Sequence, residues 1–146
     1  MNTLRIIEQL KVDEGFRAKP YWDNDQWTYG FGTKANSRHD TITREEAQVQ
    51  LRQRVEVAID DFNLMFGDME MDEVREEALV NMLFNLGRTK LTKFRKMVGA
   101  VRKKDWGNAA YEAFNSLWFR QLRKKGLTSI ERSERIVWEL LTGEKG

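Results

Sequence analysis

The residues able to do chemistry crowd into one short stretch. Glu14-Gly15-Phe16 is followed by Tyr21-Trp22-Asp23, and then by Trp27-Thr28-Tyr29-Gly30-Phe31-Gly32. Asp23 stands nine positions after Glu14, and Thr28 stands five after Asp23. Two carboxylates on different elements, with aromatic surface between them, suit hydrolysis of a sugar polymer. One carboxyl stays protonated as an acid while the other is ionised and manages a water or a cationic transition state. Other chemistries lack parts. The chain has no cysteine, so disulfides and thiolate metal sites are excluded, and a cytosolic origin is favoured. His39 is the single histidine, too little for a His-rich zinc site or a Ser-His-Asp hydrolase. No metal or cofactor is expected.

The elements that must position these groups read in two textures. Apolar Leu4, Ile6, Ile7 and Leu10 predict a short amphipathic helix leading into Glu14. From about Arg17 to Lys34 aromatic and polar residues alternate, the only proline (Pro20) appears, and Asp23-Asn24-Asp25 predicts a turn. Trp27, Tyr29 and Phe31 repeat at period two, the signature of a strand. Beyond Asp40 the punctuation is helical. Thr43 with Glu46 forms a capping box ahead of the stripe Ala47, Leu51, Val55, Ala58, Ile59 and Phe62, which should end before Gly67. Asp72 should open a helix that stops at Gly87, and Asp105 should open another. Thr128 with Glu131 reads as a second capping box for a last helix ending before Gly143.

The expected fold is α+β and mainly helical. A single domain, 1–146, holds a small β-hairpin lobe (about 14–42), a connecting helix (about 43–66) and a helical lobe (about 67–146, with the N-terminal helix). A groove between the lobes is expected to hold the site. At 146 residues the chain suits one domain with a real core.

Together these motifs resemble the active-site signature of the T-even phage lysozyme family, glycoside hydrolase family 24. The resemblance extends through Asn81-Met82-Leu83-Phe84-Asn85-Leu86-Gly87, similar to that family's central buried helix. It continues with Trp106, Ala109-Ala110, Ser116, Trp118, Arg132, Arg135 and Thr142-Gly143 in the family's order, covering roughly residues 4–143. It implies an endolysin cutting the β-1,4 bond between N-acetylmuramic acid and N-acetylglucosamine in bacterial peptidoglycan. Carried over by position, Glu14 matches the general acid, Asp23 the partner carboxylate and Thr28 the hydroxyl that orients water. Phe31, Asn85 and Arg132 are the expected substrate-contacting residues, with Arg132 approaching the acid. Trp118 reads as core. Two departures stand out. Four residues, not the family's five, separate Asp23 from Thr28, which leaves Asp25 as a substitute carboxylate, although the intact spacing from Glu14 favours Asp23. Thr33 replaces a histidine common in the family.

Charge is unevenly spread. Residues 40–77 carry twelve acids and four bases, whereas residues 88–125 carry twelve bases and two acids. A basic half suits an anionic polymer such as a cell wall; a solvated helix surface is the plain alternative. The main rival function is a non-enzymatic nucleic-acid- or wall-binding module, though no nucleic-acid signature is present. A chitinase- or chitosanase-like hydrolase shares the carboxylate logic. Peptidoglycan is the expected partner, with no nucleic acid, no stable membrane insertion and a monomeric state. The N-terminus lacks the uninterrupted apolar run of a signal peptide. The expectation is therefore residence in the host cytoplasm, with a separate release route to the periplasm or wall.

Overall fold

The computed structural model describes all residues, 1–146. It is mainly helical with one small antiparallel sheet, the expected α+β class. Helix α1 (Thr3–Glu14) leads into strands β1 (Arg17–Asp23), β2 (Gln26–Gly30) and β3 (Thr33–Lys34), paired in the order β1-β2-β3. The long α2 (Arg44–Phe66) follows, and then α3 (Glu73–Leu86), α4 (Arg88–Thr92), α5 (Arg95–Arg102), α6 (Trp106–Phe114), α7 (Leu117–Arg123) and α8 (Leu127–Thr142). The chain divides into two compact units, Thr3–Val57 and Ala58–Gly146 with Met1–Asn2. The division falls within α2. The sequence reading grouped α1 with the later helices; here α1 shares a unit with the strands.

In the first unit the start of α2 is fixed by the predicted capping box. The Glu46 N–H donates to Thr43 Oγ1 at 3.1 Å, and the Thr43 N–H donates back to Glu46 Oε1 at 3.2 Å. Two otherwise orphaned donors at the helix start are thereby satisfied. Ala47, Leu51 and Val55, one helical turn apart, are fully buried and form the unit's floor with Phe31, Ala35 and Ile42. Gly30 lets the sheet approach this floor, because a Cβ there would stand 3.3 Å from Ala47 Cβ. Gly30 also has a φ of 61°, a value that a side chain would strain.

In the second unit, α8 packs against α3, α6 and α7, and α5 against α6. Asp72 caps α3 by accepting from the Arg75 N–H at 3.0 Å, and Gly87 ends that helix with a φ of 83°. Asp105 caps α6 through the Asn108 N–H, and Gly143 ends α8 in the left-handed region. One expectation is corrected. The last helix begins at Leu127 behind Gly126, with no side-chain cap, so Thr128 lies inside the first turn. Gly126 has a φ of 117°, and the chain enters the helix two residues earlier than a Thr128 cap requires. No helix is long and apolar enough to cross a membrane.

Candidate active site

Glu14 is the last residue of α1, and the chain leaves the helix through Gly15, whose N–H donates to Lys11 O at 3.0 Å. Its carboxylate is half-buried and rests against the backbone of Gly32. A Cβ at Gly32 would lie 2.9 Å from Glu14 Oε2 and 3.5 Å from its Cδ. The glycine is thus demanded twice, by this contact and by a φ of 81°.

The shortened spacing between Asp23 and Thr28 has a simple structural form. Asp23 pairs with Gln26 across the hairpin, leaving Asn24 and Asp25 as a two-residue turn. Their φ values of 50° and 61° are both positive, as in a type I′ turn, whose twist matches that of the flanking strands. The rest of the register follows: Trp22 opposite Trp27 and Tyr21 opposite Thr28. Residues directly opposite share a face, and alternate residues share a face along each strand. Tyr21, Asp23, Gln26 and Thr28 therefore line one face. Trp22 and Trp27 occupy the other, their rings 5.3 Å apart and nearly perpendicular. Toward Arg17 the register of β1 shifts, in the stretch holding Pro20, which has no N–H to give to a ladder. Thr28 is buried, whereas Asp25 is exposed at the turn's tip.

Tyr21 reports on the electrostatics of this face. Burial, then the Asp23 carboxylate, then the Glu14 carboxylate raise its phenol above the usual 10.0. The Arg17 guanidinium, stacked 4.6 Å from the ring centroid, opposes them. Both predicted carboxylates thus act on one phenol, which stays neutral and able to donate. The other candidates fall as follows. The Phe31 ring belongs to the core, 2 % exposed and 5.5 Å from the ring of Phe16, while its carbonyl accepts from Arg54 Nη1 at 3.0 Å. Arg132 is buried in the helical unit and donates from Nε to Asn81 Oδ1 at 2.8 Å. Asn85 accepts from the Trp118 indole N–H at 2.8 Å, which fixes the orientation of its amide. Trp118 is core, as expected.

Hollows also occur away from these residues. Two adjoining cavities of about 330 and 380 Å³ in the helical unit share Arg95, Lys96 and Glu112 in their walls, and contain none of the candidates. Sequence reasoning passed over Tyr21 and Arg54 as members of the site. Tyr21 was within reach, being two residues before Asp23 on a strand. Arg54 had no local signal, because its partner lies 23 residues away.

Comparison with known proteins places the whole chain in context. Residues 11–135 match the phage lysozyme family. The chain is 28 % identical to "Probable T4-type lysozyme 2" of Dictyostelium discoideum, over 94 % of each chain. It is 25 % identical to "Probable T4-type lysozyme 1" of the same organism, again over 94 % of each. It is also 28 % identical to "Pre-baseplate central spike protein Gp5" of Enterobacteria phage T4, where the match takes in 96 % of this chain but only 28 % of that longer protein.

Proposed function

The chain belongs to the phage lysozyme family, and we propose that it cleaves the β-1,4 bond between N-acetylmuramic acid and N-acetylglucosamine in bacterial peptidoglycan. Glu14 gives its proton to the glycosidic oxygen as the bond from that oxygen to the anomeric carbon breaks. Asp23 faces the developing positive charge and manages the incoming water, and Thr28 orients that water. The observation that supports this reading is the hairpin register that puts Thr28 on the face of Asp23, nine positions after Glu14, within the stretch that matches the family. Asp25 is the weaker partner because it stands exposed at the turn's tip. The protein works as a monomer in lysis of a bacterial host. It reaches the wall by a separate release route, and the basic residues of 88–125 help it attach to an anionic surface.

Mass spectrometry of the fragments released from purified peptidoglycan tests the bond. New reducing ends on muramic acid are expected. Reducing ends on glucosamine would move the cut to the neighbouring bond, and intact glycan would remove the hydrolase reading. On the same substrate Asp23→Asn should be far more damaging than Asp25→Asn. The reverse order would transfer the role to the turn.

A further inference from the structure

The backbone against which Glu14 rests is held from the side by a residue of another element. Between β2 and β3 the chain passes through Phe31 and Gly32, and β3 is only two residues long, so the sheet ladder gives this strap little support. Arg54, on α2, reaches it. Its Nη1 donates to the Phe31 carbonyl at 3.0 Å and lies 3.7 Å from the point where a Gly32 Cβ would stand. Glu14 Oε2 lies 2.9 Å from that same point. The carboxylate therefore takes the space that the missing side chain leaves, and the guanidinium borders it. Arg54 is half-buried, where charge interactions are screened less than at the surface.

We infer that Arg54 is a positioning residue for the proton donor. Its hydrogen bond fixes the Phe31–Gly32 strap that forms the wall beside Glu14, and its charge holds the carboxylate against that wall. The inference rests on the reading of Glu14 as the acid. It gives a reason for pairing a bare glycine with an arginine: the glycine makes room for the carboxylate, and the arginine keeps the carboxylate in it. A misplacement of about 1 Å at a catalytic group costs on the order of 10²-fold in rate.

The test is steady-state kinetics of Arg54→Gln and Arg54→Lys on solubilised peptidoglycan strands, with melting temperatures alongside. Gln is too short to reach the carbonyl and carries no charge, whereas Lys keeps the charge and one donor. The expected result for Arg54→Gln is a kcat lower by about 10²-fold, with KM and melting temperature near those of the parent. Arg54→Lys should lose less, and again in kcat alone. A kcat near the parental value in Arg54→Gln, a loss expressed in KM, or equal losses in the two variants would overturn the inference. If Arg54→Gln does not fold, the Lys variant decides on the same criterion, a fall in kcat without a change in KM. Glu14→Gln, measured beside them, separates two failures. An inactive Glu14→Gln with a fully active Arg54→Gln sinks only the role of Arg54. A fully active Glu14→Gln sinks the acid assignment and this inference with it.

Discussion

The unit Thr3–Val57 and the unit Ala58–Gly146 are organised on different principles. In the first, backbone strain and close approach decide the residues. Asn24 and Asp25 both adopt positive φ, Gly30 stands where a Cβ would crowd Ala47, and Gly32 where one would crowd Glu14. In the second, caps and a packed interior decide them: Asp72, Asp105 and Ser116 each cap a helix, and Leu79, Val80, Met82 and Leu83 are buried in succession on α3. Polar groups inside the helical unit are tied to one another, as Arg132 is to Asn81 and Trp118 to Asn85. In the first unit the Glu14 carboxylate stands beside a strap of backbone that Arg54 holds. The lesson is that change at the carboxylates of the first unit should cost activity before stability, and change in the packed interior of the second stability before activity.

The largest effect that can break this contrast is expected at Glu14. Glu14→Gln keeps shape and hydrogen bonding but removes the transferable proton. Lysis should fall by about 10²–10⁴-fold while the melting temperature stays put, as turbidity assays and calorimetry would reveal. A large loss of stability would move Glu14 into the structural class. Next is Leu79→Ala, at a side chain with no exposed surface. Its expected cost is about 2–5 kcal/mol of unfolding free energy by denaturant titration, with normal turnover per folded molecule at low temperature. Turnover lost without stability would erase the distinction between the units.

A smaller test sharpens the role of caps. Asp72→Ala should cost about 1 kcal/mol, since Asp72 accepts from the Arg75 N–H. Thr128→Ala should stay within about 0.5 kcal/mol, since Thr128 caps nothing. Equal costs would show that the capping geometry at Asp72 contributes little. The smallest effect concerns pH. The Tyr21 phenol is raised above 10.0 by burial and then by Asp23 and Glu14, so it ionises later in the folded chain than in the unfolded one. Its contribution to stability is complete below pH 10.0 and is lost as pH climbs through the raised folded value. Tyr21→Phe removes this liability. Its melting temperature should fall less steeply above pH 10.0 than the parent's, and parallel curves would deny the electrostatic link to the carboxylates.

What could be read in advance follows the range of each interaction. Caps at Thr43, Asp72 and Asp105 were legible because donor and acceptor lie within three residues. The elements that carry Glu14, Asp23 and Thr28 were legible because a short amphipathic helix and a period-two strand announce them. Thr128 misled because Gly126, two positions earlier, starts the helix by backbone conformation alone, which no side-chain pattern announces. The short turn leaves Asp25 a rival to Asp23, and the register that pairs Asp23 with Gln26 gives that turn its form. Arg54 was invisible, since an arginine on a helix looks like any solvated charge until a carbonyl 23 residues away is seen beneath it.

The two indoles on the reverse of the hairpin have an optical consequence. Trp22 and Trp27 lie 5.3 Å apart at 74° between ring planes, close enough for their ultraviolet transitions to couple. Such a pair gives a circular dichroism couplet of a kind that helices do not produce, and it vanishes when the strands separate. The hairpin that carries Asp23 and Thr28 therefore has its own spectroscopic voice, distinct from the helical signal of the other unit. Heating the protein while following both bands shows whether the two units melt together or in turn.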